Sequence, residues 1–499
     1  MQENKQKSWC CTVCGYIHQG ETPPDLCPIC GTEKRDFEPY NTPETSIKTS
    51  AEEKPDKWQC LNCNYVHYDA DPPDICLVCG ANKDKFEPAR KSVSAAGAKK
   101  TNVVIVGGGV AGISAAESVR NSSPDSEITV ISSETEIPYY RLNLTRYLGG
   151  EITRDTLPIH NPEWYRQNKI KILLNLLAEK VLKYDKKIVL SDGSSLNYEK
   201  IIITTGSHSY VPNLPGISLA NVFSLRTVED ADEILAEAKK GAKIVGIGGG
   251  ILGLEIAGAL GKQGADITLL ESHDWLMPRQ LNKKAGEIFE TYVKGIGVKI
   301  IKNARTKELL GNKNINAVLL QDGRAIPADM VVIATGVRPN TAIARKSEIE
   351  VNNGIVVDNH LRTSQDNIYA AGDVAEHNGI LYGSWAASQF QGGIAGLNAV
   401  GIETQFGGLP RSNTIKALGL DLTSIGKFQP DDGSYVVFED EGANSYVEFV
   451  FRDGKMVGAI LLGHPELSAP SKRAIESKTD FTTILKLATN CSEIIENLK

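Results

Sequence analysis

Residues 103–112 read Val103-Val104-Ile105-Val106-Gly107-Gly108-Gly109-Val110-Ala111-Gly112. A β-branched apolar run leads into Gly107-x-Gly109-x-x-Gly112, and a helix-compatible stretch follows over 113–119. In such a strand–turn–helix the first glycine permits the tight turn and the second lets backbone approach a pyrophosphate. The third lets helix and strand pack closely. A second predicted strand, 128–131, ends near Glu134, where an acid can bind an adenosine ribose. One fingerprint is a weak signal, and this chain has two. The sequence Ile244-Val245-Gly246-Ile247-Gly248-Gly249-Gly250-Ile251-Leu252-Gly253 repeats the pattern, followed by Leu254-Glu255 and a predicted strand, 267–270, that ends in Glu271. An acid at 271, with His273 rather than arginine two positions on, favours the free 2′-hydroxyl of NADH over the phosphate of NADPH. Two such units, each with its ribose acid, point to two nucleotides, FAD and NAD.

Two further segments fit this arrangement. Residues 201–206, ending in Thr204-Thr205-Gly206, and 331–336, ending in Ala334-Thr335-Gly336, read as strand-to-turn crossings that carry the chain between two α/β domains. Beyond 409 the pattern changes to alternating strands (435–438, 446–451, 456–462) and then helices (481–487, 492–498), an α+β cap. His464 and Cys491 in this cap have no partner of catalytic spacing and read as structural.

The 499 residues exceed one hydrophobic core, so several domains are expected. Lys and Arg number 54 against 61 Asp and Glu, a net charge of −7 that excludes general nucleic-acid binding and a basic surface for anionic lipid. No apolar run approaches the ~18–20 residues of a membrane span, and 1–6 lack the apolar core of a signal peptide. A cytoplasmic protein, monomeric or homodimeric, is the expectation. Nine of the ten cysteines fall in the first 80 residues, mostly as Cys-x-x-Cys pairs, a distribution that favours metal binding over disulfides.

Those cysteines belong to a repeat. Shifting the chain by 49 residues superposes 9–39 on 58–88 with 15 of 31 positions identical. Each unit reads Trp-x-Cys-x-x-Cys-x-Tyr-x-His, a Pro-Pro-Asp turn, Cys-x-x-Cys-Gly and Phe-Glu-Pro. Two such knuckles can place four thiolates tetrahedrally about one metal: Cys11, Cys14, Cys27 and Cys30, then Cys60, Cys63, Cys76 and Cys79. A unit of this size has too little core to fold alone, so the metal contributes its stability. Gln59 stands where the first unit has Cys10, which leaves Cys10 outside the ligand set. Spacing alone accommodates iron and zinc equally.

Both units resemble the short rubredoxin domain of rubrerythrins, with Trp9, Tyr16 and Phe37 (Trp58, Tyr65 and Phe86) expected to enclose the metal. The resemblance implies iron, one per unit. The second copy departs from it with Leu77 for proline and Asn64 for glycine. Asparagine tolerates the left-handed backbone that glycine would supply. Residues 101–408 are similar to the flavoprotein reductases of the glutathione-reductase fold. Within that fold, Ile137-Pro138-Tyr139-Tyr140-Arg141-Leu142-Asn143-Leu144-Thr145-Arg146 is most similar to rubredoxin and ferredoxin reductases, and to the flavin portion of nitrite reductase large subunits. Gly372-Asp373 resembles the second FAD motif, whose Asp meets the ribityl region. The resemblance implies that Arg141 meets the FAD pyrophosphate and that Trp385 lies beside the flavin on the acceptor face. It places Arg146 at a position usually held by lysine, paired with a glutamate matching Glu255. Arginine does not release a proton at useful pH, so its role there would be electrostatic. Region 134–150 contains no cysteine, which excludes a flavin-to-disulfide mechanism.

The organisation expected is two rubredoxin-like domains (7–40 and 57–89), with linkers at 41–56 and 90–100. An FAD-binding domain (101–220 and 338–408), an NAD-binding domain (221–337) and the cap (409–499) follow. An 11-residue flexible linker spans roughly 17–20 Å. The reaction expected is transfer of electrons from NADH through FAD to two iron centres and on to an external acceptor protein, for which the resemblance implies a peroxide-, superoxide- or dioxygen-reducing protein. The alternatives are a flavin reductase whose four-cysteine units hold zinc and dock a partner, and an NADH oxidase. Metal analysis tests the ligand register directly. Cys10→Ser is expected to retain two metals per chain and Cys14→Ser to retain one. Loss from Cys10→Ser with retention by Cys11→Ser would overturn the assignment.

Overall fold

The computed structural model describes residues 97–409 and 412–498, together with 8–11, 17–19, 22–23, 34–39, 58–60, 66–67, 71–74, 76 and 82–88. The apolar run before the first fingerprint forms the strand Asn102–Val106, whose last four residues are buried. It is the centre of a five-stranded parallel sheet in the order Ile368–Ala370, Lys200–Ile203, Asn102–Val106, Glu127–Ile131, Ile170–Leu173. The second fingerprint strand, Lys243–Ile247, is likewise central, in the order Val222–Ser224, Met330–Ile333, Lys243–Ile247, Asp266–Leu270, Lys299–Ile301. In each sheet a three-stranded antiparallel meander precedes the strand beside the fingerprint: 178–197 in the first and 306–327 in the second. The two crossings meet as an antiparallel pair, Ser207–Ser209 against Val337–Pro339, and form the joint between the sheets.

Helix Val110–Ser122 follows the first fingerprint and packs along helix Trp385–Ala399. The approach is close enough that a Cβ on Gly392 would lie 2.1 Å from the Ala111 carbonyl oxygen. Ser384 caps the second of these helices by accepting from the Ala387 amide. The cap is a five-stranded antiparallel sheet, Ser412–Ala417, Leu420–Gly426, Lys455–Leu462, Tyr446–Arg452, Val436–Glu441. One face of it, with Leu422, Tyr446, Ile460 and Leu462, shares a core with Leu254 and Phe289 of the second α/β unit. Three helices follow it: Ser468–Glu476, Thr482–Leu485 and Cys491–Glu496. The sequence pattern predicts no helix over the first of these, which carries Pro470 in its first turn. Proline is tolerated there because the first-turn amides of a helix have no partner within it. Cys491 is buried, which pushes its thiol up to about 12 and leaves it unreactive. Among the described residues no helix is long and apolar enough to cross a membrane.

The 49-residue repeat persists in the backbone. Trp9 pairs with Pro39 and Cys11 with Phe37, while Trp58 pairs with Pro88 and Cys60 with Phe86. Cys10 and Gln59 occupy the same register, opposite Glu38 and Glu87. Cys14, Cys27, Cys30, Cys63 and Cys79 lie outside the described residues.

Candidate functional site

The carboxyl end of the first parallel sheet and helix Ile251–Lys262 of the second unit line a shared cavity of about 2680 Å³. At its floor the turn is tight: Gly107 has φ +121°, and a Cβ there would lie 2.2 Å from the Thr204 carbonyl oxygen. A Cβ on Gly112 would lie 2.1 Å from the Gly107 carbonyl oxygen. Nothing approaches within 4 Å of the Cβ position of Gly109, the residue that begins helix Val110–Ser122 without a side-chain cap. The backbone there is open to an anion and backed by the positive end of a helix. The second unit repeats this with Gly248, Gly250 and Gly253 at helix Ile251–Lys262. These features fit two dinucleotides.

The polar wall was partly foreseen. Glu134 accepts from Arg141 (2.5 Å) and from the Tyr139 hydroxyl (2.5 Å), so the expected ribose acid and pyrophosphate arginine touch. Burial opposes the Arg141 charge, but Tyr139, Glu134 and Asp373 outweigh it and its pKa is raised. Asp373 accepts from Ser207 (2.8 Å), Arg226 (3.1 Å) and Ser388 (3.3 Å). Arg226 also donates to the Ser207 carbonyl (2.8 Å), and its own carbonyl accepts from Arg141. No motif marks Arg226, because its role depends on the second sheet being folded against the first. Thr205 and Gly206 lie on the first crossing, where Thr205 donates to the Asn340 carbonyl (2.8 Å), and Gly336 lies on the second with φ +114°. Glu271 is buried behind the second fingerprint. It accepts from the Gly249 amide (2.9 Å) and from the backbone and ring nitrogens of His273 (both 2.8 Å).

One expected pairing does not form. Arg146 turns toward Glu151 (3.4 Å) and Asn143 (3.5 Å), while Glu255 accepts from the Thr145 hydroxyl (3.0 Å). Residues 145 and 146 are neighbours on the short helix Leu144–Leu148, so their side chains diverge by about 100°. Thr145 therefore meets Glu255 on helix Ile251–Lys262, and Arg146 is directed to Glu151 elsewhere on the same cavity wall. Glu255 lines the cavity with no cation against it among the described residues, and loss of solvation pushes its carboxyl up to about 7. Thr145 opposes this rise by donating to the ionised form, and Glu151 adds to it by like charge.

At the far wall Trp385 stacks on Tyr140, with ring centroids 5.5 Å apart and planes at 30°. Among the described residues the buried Trp385 indole nitrogen has no hydrogen-bond partner, while the ring itself lines the cavity. Cys60, Cys76 and Phe86 of the second repeat form one buried cluster with Tyr140, and Trp58, Ile159 and Trp385 pack against it. Cys76 and Glu87 contribute to the cavity wall itself. Cys60 and Cys76, one from each knuckle, are two of the four thiols that a tetrahedral site takes, and the other two, Cys63 and Cys79, lie outside the described residues.

Two measurements follow from this geometry. Thr145→Val removes a donor to the Glu255 carboxylate, so the ionisation of Glu255 should move upward by about one pH unit, whereas Thr145→Ser should restore it. The pH profile of flavin reduction by NADH reads this shift. Comparing kcat/KM for NADH and NADPH tests the expectation that Glu271 binds the ribose and repels a 2′-phosphate by like charge. The ratio should favour NADH by roughly fivefold or more, and Glu271→Gln should narrow it.

Residues 101–392 match the pyridine nucleotide-disulphide oxidoreductase family, 412–479 match the rubredoxin NAD+ reductase C-terminal domain, and 9–38 and 58–87 each match the rubrerythrin rubredoxin-like domain. The chain is 32% identical over 395 residues to the nitrite reductase [NAD(P)H] of Bacillus subtilis, covering 78% of this chain and 49% of that protein. It therefore spans about half the length of that relative. It is also 32% identical to the NADH-rubredoxin oxidoreductase of Clostridium acetobutylicum, covering 78% of this chain and 98% of that one. The crystal structure of that NADH:rubredoxin oxidoreductase matches with a TM-score of 0.67 at 30% identity, over 80% of this chain and 100% of that chain. The fold alone is shared with a putidaredoxin reductase–putidaredoxin complex, with a TM-score of 0.72 at 24% identity, over 77% of this chain and 94% of that chain. Both fingerprints and the joint between the sheets fall within the first of these family matches and the cap within the second, and the chain belongs to the pyridine nucleotide-disulphide oxidoreductase family.

Proposed function

We propose that this protein oxidises NADH and passes the electrons, through FAD, to iron held by its own cysteine repeats and on to an external acceptor protein. The observation that carries this reading is the position of the second repeat: its Cys60, Cys76 and Phe86 pack on Tyr140 and Trp385 at the wall of the cavity. When bound, FAD takes two electrons as a hydride and releases them singly, and a thiolate-held iron takes one. The protein's own residues supply the rest. The open turns at Gly109 and Gly250 seat the pyrophosphates, and Arg141, Arg226 and Asp373 form the polar wall for the first dinucleotide. Glu271 meets the NADH ribose. Glu255, neutral below about pH 7, holds a proton at the cavity wall while Thr145 fixes its orientation. The relatives named for NADH and rubredoxin support the same donor and acceptor class.

Metal analysis combined with stopped-flow mixing tests this in the full-length protein. Two irons per chain are expected, bleached by NADH at a rate independent of protein concentration, as a tethered acceptor requires. Zinc in both units, or iron that stays oxidised, would favour docking modules instead.

A further inference from the structure

The two repeats are alike in sequence but not in their chain distance from the cavity. Residues 90–100 are all that separate the second repeat from the first fingerprint strand, whereas the first repeat lies beyond the second and beyond 41–56 as well. The second repeat fills the surface formed by Tyr140, Ile159 and Trp385, and its Cys76 and Glu87 become part of the cavity wall. Cys60 and Cys76 are almost fully enclosed there, at 0% and 3% exposure. The face of the repeat that carries Cys60, Cys76 and Phe86 is packed on Tyr140 and cannot be offered to another protein at the same time. A tethered occupant also competes with untethered acceptors at an effective concentration that reaches about millimolar.

We propose that the two repeats are not interchangeable: the second, seated on the Tyr140–Trp385 pair, takes electrons from the flavin, and the first hands them to the external acceptor. This order rests on the reading of both repeats as iron centres. The electrons balance without further reagents. One NADH becomes NAD+ with the loss of two electrons, each of two ferric centres gains one, and one proton is released. A one-electron acceptor protein then reoxidises the first centre, which the second refills.

The test uses the full chain with one ligand changed in either repeat. Cys27→Ser removes the first metal and leaves the second repeat intact, and Cys76→Ser does the reverse. In Cys27→Ser, NADH should bleach the remaining iron at the rate of the unaltered protein, while turnover with cytochrome c as acceptor falls at least tenfold. In Cys76→Ser, the remaining iron should be reduced at least tenfold more slowly. Hydrogen exchange on zinc-loaded protein gives a readout independent of electron flow. Amides at 138–142 and 384–388 should be protected in the unaltered protein and in Cys27→Ser, and should exchange faster in Cys76→Ser. Full-speed reduction of the first-repeat iron in Cys76→Ser, or protection lost in Cys27→Ser instead, would overturn the order while leaving the relay standing. Iron that stays oxidised in the unaltered protein as well would overturn the relay and the order with it.

Discussion

Strand, turn and helix can meet at the first fingerprint because two side chains are missing. Gly107 lies against the Thr204 carbonyl and Gly112 against Gly107, each too close for a Cβ. That contact brings the helix end onto the carboxyl edge of the sheet, where its unpaired amides and partial positive charge face the cavity. The second fingerprint makes the same approach through Gly248, Ala334 and Gly253. Both nucleotide sites depend on this clearance.

A second constraint joins the halves. The crossings pair as Ser207–Ser209 and Val337–Pro339, and around them Asp373, Arg226 and Ser207 close a charged node drawn from three separate parts of the chain. Charges partly withdrawn from water are tolerated when each has a partner, and removing one partner is costly. The same logic makes Glu255 distinctive. Among the described residues it has a hydroxyl and no cation against it at the cavity wall, and loss of solvation raises its pKa to about 7, where a lysine-paired carboxylate would stay ionised.

The second cysteine repeat is distinguished by its position. Each unit is too small to fold on a hydrophobic core alone. The second nevertheless acquires one at the body of the protein, by pooling Phe86, Cys60 and Cys76 with Tyr140. Stability of the unit and access to the cavity thereby become a single contact.

Much of this was legible in the residues alone, for a definite reason. Glycines at fixed spacing, a terminal acid at Glu271 and cysteines recurring every 49 residues encode local geometry, which needs no knowledge of distant neighbours. They determined two nucleotide folds, two four-thiolate units and the absence of a redox disulfide after the first helix. Identity between the repeats predicted their common register, and the backbone pairs Cys11 with Phe37 as it pairs Cys60 with Phe86. The rest required the chain to be folded. Whether Arg146 or Thr145 meets Glu255 depends on which side of one short helix faces another. The Arg226–Asp373 node depends on how two sheets are joined, and the Tyr140–Trp385 seat joins rings from opposite ends of the FAD unit. Such contacts are long-range packing outcomes, decided by tertiary structure because no local pattern carries the direction in which a side chain will point.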